Sequence, residues 1–169
     1  MAETVIDKIY WITHPAFPLV IPKDAGRLTE EKIKHYFDGV LKPLVKKAQS
    51  EPNSLVVFQG TPTEVIKLDP ENMFAALDLE SELEVLIESN LKNRGIVVDP
   101  QKIGTGQAAE DVAEKERKQG LKVSKNAEVE GHGSWHAGCA EKFAKHYHER
   151  RKLTGPFRVS SKALYRHRK

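Results

Sequence analysis

The segment VIDKIYWI at residues 5–12 decides the fold class, because it has the β-branched and aromatic composition of a buried strand. The segment Thr13-His14-Pro15 ends it, since proline donates no hydrogen bond to a sheet. Two more short apolar runs, at residues 55–58 and 96–98, have the length and composition of central parallel strands. The chain is therefore predicted to contain several buried strands.

Helical patterns separate these strands. Apolar residues from Ile33 to Val45 repeat at helical spacing, and Pro43 is expected to kink or divide that helix. Pro70 opens a short helix, and the capping-box pattern at Ser81 predicts the start of another. Gly95 lies where a left-handed residue is expected to follow this helix.

The second half of the chain continues the alternation. A charged helix is predicted from Gln107 to Gln119, with Asp111–Lys115 and Glu114–Lys118 pairs one turn apart and an end at Gly120. The remaining elements are two half-buried strands at residues 121–123 and 127–129, a helix from Ser134 to about Lys152, and an edge strand at residues 157–159.

Alternating strands and helices predict one α/β domain over residues 1–160, followed by a basic tail at residues 161–169. We expect a three-layer, Rossmann-like sandwich around a mostly parallel sheet, in a strand order that the pattern leaves open. The single cysteine suits a reducing compartment. The N-terminus lacks the pattern of a signal peptide and no apolar run reaches membrane-helix length, so the sequence predicts a cytoplasmic protein without membrane contact.

Polar and glycine residues follow every predicted strand. In open parallel sheets ligands bind at the carboxyl ends of the strands, so these residues are expected to share one edge. We expect them to bind a small anionic ligand; they are Thr13, Gln59, Gly60, Thr61, Gly104, Thr105, Gly106, Gly131, Gly133 and Ser134. The catalytic candidates at the same edge are His14, Asp99, His132 and His136.

The segment from Gly131 to His136 is the most informative of these strand ends. Two glycines flank His132, and the last helix is predicted to begin directly afterwards. Glycine permits close approach of the backbone, and the N–H groups of a helix N-terminus attract anions. The alternative is a tight strand-to-helix turn that Ser134 caps, with exposed histidines.

The segment Gly104-Thr105-Gly106 precedes a helix and is a second candidate phosphate cradle. It is not the dinucleotide-binding motif, because no third glycine follows at the required spacing, and it lacks the lysine of a P-loop. The cofactor therefore stays unknown.

Cys139 admits three interpretations. It lies in an apolar stripe with Trp135, Phe143 and Tyr147, which favours core packing. It is also a possible nucleophile, and with His14, His132 and His136 it offers a set of zinc ligands. No CxxC or HExxH motif supports the zinc site, so no metal is assigned.

Charge is distributed unevenly along the chain. Residues 141–169 hold ten Lys or Arg and two Glu, a net charge of +8, whereas the rest has 17 basic and 22 acidic residues, a net charge of −5. Such a basic segment can contact phosphate or nucleic acid. A solvated helix face with a frayed tail is the simpler interpretation.

Three functions remain open. The leading hypothesis is a small hydrolase or transferase that acts on an anionic or phosphorylated substrate, with His14, His132 and His136 as acid/base groups that Asp99 orients or activates. The second is a nucleic-acid-binding or nuclease-like protein that uses residues 142–169. The third is a protein-interaction module whose apolar segment Phe17–Ile21 docks a partner or a second copy of the chain.

Overall fold

A computed structural model of the chain describes residues 4–13, 31, 34–35, 37–59, 70–91, 94–98, 105–132 and 137–159. Strands and helices alternate along these residues. In chain order the elements are β1 (Thr4–Thr13), a π-helical turn (Phe37–Leu41), α1 (Lys42–Gln49), β2 (Ser54–Gln59), α2 (Pro70–Leu91), β3 (Gly95–Val98), α3 (Thr105–Lys118), β4 (Leu121–His132), α4 (Ala137–Arg150) and β5 (Phe157–Val159).

The strands form one five-stranded sheet in the order β3-β2-β1-β4-β5, and every strand pair in it is parallel. The predicted α/β fold with a parallel sheet is thus confirmed. The chain builds outward from β1 to β3 and then returns to the other side of β1 for β4 and β5. The order therefore reverses between β1 and β4, which makes this pair the topological switch point of the sheet.

Side chains of β1 divide the core into two clusters. Tyr10 and Ile12 pack with residues of the π-helical turn, α1 and α2. Ile9 and Trp11 pack with residues of α3 and α4. Because successive side chains of a strand point to opposite faces, the two clusters lie on opposite faces of the sheet. Both faces of β1 are thus buried, which explains its nearly continuous apolar sequence.

The prediction of two short strands after Gly120 is wrong, because β4 is continuous. Its pairing with β1 jumps from Ile6–Val123 to Lys8–Glu128, so β4 carries extra residues between its two paired parts. The polar sequence at 124–126 belongs to this irregularity, which has the composition of a loop but remains extended.

The prediction of a helix start at Ser81 is also wrong, because α2 runs without interruption from Pro70 to Leu91. Leu83, Ile87 and Leu91 are buried along one face of this helix. Their packing continues the apolar stripe through the last turns of α2, and the Ser81 capping pattern is left unused.

Glycine and proline positions agree with the predictions in part. Gly120 follows α3 with a φ of +70°, as a left-handed helix terminator should. Gly95 does not have a positive φ, so its predicted role is wrong. It begins β3 instead, and a Cβ at this position would lie 2.3 Å from Cγ2 of Ile87. Pro43 follows the π-helical turn at the start of α1, which confirms that it divides the helix.

No helix in the described parts of the chain is both long enough and apolar enough to cross a membrane.

Candidate functional site

The candidate site lies where β1 and β4 end side by side. His132 is the last residue of β4 and pairs in register with Ile12 of β1. This is the point where the strand order reverses, and in open α/β sheets the crevice outside the strand ends at such a point is the usual ligand site. His132 is the catalytic candidate whose position the structure describes, and it lies at this point of the fold.

Glu130 holds the imidazole of His132. The Nε2 atom of His132 lies 3.0 Å from Oε1 of Glu130. Residues two apart in a strand share a face, so this pair follows directly from the extended backbone of β4. The His132 side chain is only 7% exposed, and its ring lies 6.4 Å from the ring of Tyr10, centroid to centroid. Packing and the carboxylate together restrict the orientation of the imidazole.

A row of charged side chains continues from this pair across the sheet. Lys8 of β1 places its Nζ 2.9 Å from Oε2 of Glu130 and 3.1 Å from Oε1 of Glu128. Oε1 of Glu128 also forms an ion pair with Arg158 on β5, whose Nε lies 3.0 Å away. We call His132, Glu130, Lys8, Glu128 and Arg158 the charged row. From Glu130 to Arg158 its charges alternate in sign, which compensates for the partial burial of its carboxylates.

Burial and neighbouring charges shift the protonation of the His132–Glu130 pair. Burial lowers the pKa of His132 below 6.5, and this effect outweighs the opposing attraction of Glu130, while Lys8 and Lys47 lower it further. Burial alone would raise the pKa of Glu130, but its hydrogen bond to Lys8 and the charges of His132, Lys8 and Lys47 lower it overall. At neutral pH the pair is thus a neutral imidazole beside an ionised carboxylate.

A cavity of about 240 Å³ adjoins this pair. It lies between β4 and the segment formed by the π-helical turn and α1, and its lining residues are Gly39, Val40, Pro43, Leu44, Lys47, Glu130 and His132. Pro43 has no N–H, so it cannot donate the hydrogen bond that the Gly39 carbonyl would accept in an α-helix. Gly39 belongs to the π-helical turn, so the missing hydrogen bond falls within it. Such turns occur frequently at functional sites.

Of the other described ligand-binding candidates, Thr13 ends β1 next to Ile12, the register partner of His132, and its side chain is outside the described part. Gln59 is buried and lies next to Thr13 in the sheet register, but alternation along β2 places its side chain on the face opposite to His132. Gly131 lies within β4, paired with Trp11 and Val159, so its predicted place in a loop is wrong. Thr105 and Gly106 belong to the first turn of α3, rather than to a loop before it.

Several predicted residues lie outside the described part of the chain. They are His14, Gly60, Thr61, Asp99, Gly104, Gly133, Ser134 and His136, together with the docking segment at residues 17–21. Cys139 belongs to α4, but its side chain is outside the described part. Among the side chains that are described, no group of three or more His, Cys, Asp or Glu is placed to hold a metal ion.

Four residues of the site were not predicted from the sequence: Glu130, Lys8, Lys47 and Gly39. A signal existed for the first, because Glu128, Glu130 and His132 alternate with apolar or small residues and must share one face of a strand. Lys8 interrupts an otherwise apolar strand, which indicates a buried partner. Lys47 and Gly39 carry no comparable signal, since only the packing of α1 on the sheet brings them to the strand end.

Arginines of the basic segment form ion pairs within the protein. Arg150 pairs with Glu110 of α3 at 2.5 Å, and Arg151 pairs with the buried carboxylate of Glu116 at 3.1 Å. Arg158 belongs to the charged row. Part of the positive charge of residues 141–169 is therefore paired with carboxylates of the fold.

Comparisons with protein-family models, with curated proteins and with solved structures find no match.

Proposed function

We propose that the protein is a small hydrolase or transferase that acts on an anionic substrate bound outside the ends of β1 and β4. The observation that carries this proposal is the His132–Glu130 hydrogen bond beside a cavity at the topological switch point. Function in this class of sheet is concentrated at that point.

His132 suits the role of a general base. Its lowered pKa keeps the ring neutral at physiological pH, so it can accept a proton. When Nε2 carries the proton that Glu130 accepts, the basic nitrogen of the neutral ring is Nδ1, which is buried, so proton transfer to it requires the ring to turn toward the cavity. Glu130 then fixes this tautomer and stabilises the imidazolium that forms on proton transfer, as the carboxylate of a Ser-His-Asp triad does.

A hydrolytic cycle can be written with these groups. His132 removes a proton from water as the water oxygen bonds to the acyl or phosphoryl centre of the substrate, and the bond to the leaving oxygen breaks. The proton then passes from the imidazolium to the leaving oxygen, which restores neutral His132. Transfer to an alcohol follows the same cycle, with the alcohol in place of water.

Lys47 supports the choice of an anionic substrate. It lines the cavity, and among the described residues it forms no ion pair with a carboxylate. Lys8, the other lysine near His132, is already held between two carboxylates. A substrate anion therefore meets an ammonium group that no described carboxylate binds directly, although its charge also acts on Glu130.

The test is turnover of a panel of small phosphate monoesters and half-esters of dicarboxylic acids, scored by release of phosphate or alcohol. We expect His132→Asn to lower kcat by at least about a hundredfold, the usual contribution of a general base. His146→Gln, at an exposed histidine on α4, is the matched control and should retain wild-type kcat. Equal turnover by His132→Asn and wild type, or no turnover of the whole panel by wild type, would overturn the proposal.

A further inference from the structure

We propose that Gly39 determines which substrates enter the site, and that they are small amphipathic anions: one phosphate or carboxylate group on a compact apolar body. This inference rests on the proposed function for the location of the site. It adds the size and the chemical class of the molecule that binds there.

The lining of the cavity is chemically mixed. Val40, Pro43 and Leu44 are apolar, Lys47 of the same helical segment is a cation, and Glu130 and His132 of β4 are polar. Ligand sites commonly combine apolar walls with a few polar groups that fix the orientation of the ligand. A ligand that matches this lining needs an apolar body against Val40, Pro43 and Leu44 and an anionic group near Lys47.

The volume limits the size of that body. At about 240 Å³ the cavity is smaller than the roughly 300–1,000 Å³ of pockets that hold drug-sized ligands. A single ring or a short aliphatic chain with one anionic group fits this limit. A dinucleotide or a peptide would extend beyond it.

Gly39 is the lining residue at which size can be changed without disturbing the protein. A Cβ built at this position has no atom of the described residues within 4 Å, and its φ is not positive. The backbone can therefore accept a larger side chain. Since Gly39 is exposed and lines the cavity, we infer that such a side chain takes up part of its space. The absence of a side chain at residue 39 leaves that space for the ligand.

The charges that line the cavity favour a ligand with a single anionic group. Lys47 is one cation, and the ionised carboxylate of Glu130 also lines the cavity. A ligand with anionic groups at both ends would place one of them against the apolar wall or near this carboxylate, where it is disfavoured. One anionic group next to Lys47 avoids both costs.

Binding of phenyl phosphate, measured by NMR titration of the His132→Asn variant, separates this inference from catalysis. Inorganic phosphate is the probe for the anionic group alone, and benzyl alcohol is the probe for the apolar body alone. We expect phenyl phosphate and benzoate to bind more tightly than either partial probe, with amide shifts at Val40, Leu44 and Lys47. Lys47→Gln should weaken phenyl phosphate about fivefold, as expected for one exposed charge pair.

Gly39→Leu is the decisive variant, with Gly39→Ala as its graded control. We expect Gly39→Leu to weaken phenyl phosphate by at least about tenfold, the equivalent of a modest steric conflict, while inorganic phosphate binds as before. Thermal unfolding should show no loss of stability in either variant, since both residues favour a helix more than glycine does. A stable Gly39→Leu protein that binds phenyl phosphate as wild type does would overturn the inference, and so would equal binding of benzyl alcohol and phenyl phosphate.

The two proposals fail in different ways. Binding that is sensitive to Gly39→Leu in a protein without turnover would support the ligand class and reject the enzyme. Turnover that depends on His132, with a KM that Gly39→Leu leaves unchanged, would support the enzyme and reject the role of Gly39.

Discussion

The imidazole of His132 and the carboxylate of Glu130 meet at 3.0 Å on one face of β4, with Lys8 of the neighbouring strand 2.9 Å from the other carboxylate oxygen. The strand geometry alone places the first two together, whereas the third depends on the parallel pairing of β1 with β4. Local sequence and long-range register thus both contribute to the site. Each has a separate experimental consequence.

The pKa of His132 is the most direct of these consequences. We expect an NMR titration to place it below 6.5, because burial disfavours the imidazolium. Glu130→Gln removes the charge that raises this pKa and should lower it further, whereas Lys47→Gln removes a charge that lowers it and should raise it. If the enzymatic proposal holds, the acidic limb of the pH profile of kcat moves to lower pH in Glu130→Gln and to higher pH in Lys47→Gln. Shifts of equal sign in the two variants would contradict this arrangement of charges.

The same pKa predicts how stability depends on pH. The unfolded chain protonates His132 near 6.5, and the folded protein does so only at a lower pH, so between these two values the unfolded state binds more protons. This contribution to the free energy of unfolding is fully present above pH 6.5 and is lost as the pH falls through the folded pKa. The free energy of unfolding, measured in urea at several pH values, should depend less steeply on pH for His132→Asn than for wild type. His146→Gln, which keeps His132, is the control.

The sequence predicted the fold better than it predicted the site, and the reason is physical. The runs at residues 5–12 and 55–58 are apolar because both faces of a central strand are buried, and that requirement is visible in the sequence. The strand order depends instead on which strands pair, and no local pattern encodes it. His132 was found because glycines flank it near the end of its strand. Lys47 was not, because its approach depends on how α1 packs on the sheet.

On the face of the sheet opposite to that of His132, Tyr147 forms a buried hydrogen bond. Its hydroxyl donates to Oε1 of Glu116, whose carboxylate is 1% exposed and has a pKa raised by burial. Tyr147→Phe leaves this buried acceptor without its donor and should cost about 1–3 kcal/mol of unfolding free energy. Tyr10→Phe is the matched control, since the acceptor of Tyr10 is the half-buried Glu51, 2.5 Å away. Urea unfolding of both variants should show the larger loss for Tyr147→Phe.

Arg94 connects the start of β3 to the end of α1. Its NH1 group lies 2.6 Å from the carbonyl oxygen of Glu51, 3.2 Å from that of Ala48 and 3.1 Å from that of Ser54. The carbonyls of Ala48 and Glu51 lie at and just beyond the helix end, where intrahelical donors are missing, whereas Ser54 begins β2. We expect Arg94→Met to destabilise the protein by about 1.5–3 kcal/mol, the range for hydrogen bonds to charged groups. Arg117→Met, at an exposed arginine of α3, should leave the unfolding midpoint nearly unchanged.

The structure predicts opposite effects on stability for the same substitution at Gly95 and at Gly39. At Gly95 an added Cβ would lie 2.3 Å from Cγ2 of Ile87, a fully buried side chain, so α2 and β3 would have to separate. We expect Gly95→Ala to cost about 1–3 kcal/mol, as overpacking of a core does. At Gly39 the new methyl group meets no atom of the described part of the chain within 4 Å, and alanine favours a helix by about 1 kcal/mol over glycine, so Gly39→Ala should be neutral or stabilising.

Thermal and urea unfolding of the two alanine variants, side by side, check this contrast. A loss of stability at Gly39 similar to that at Gly95 would mean that the space beside residue 39 is filled in solution. The cavity next to His132 would then be too small for the proposed ligand. A loss confined to Gly95 would show that one glycine permits the close approach of α2 and β3, while the other leaves room beside the His132–Glu130 pair.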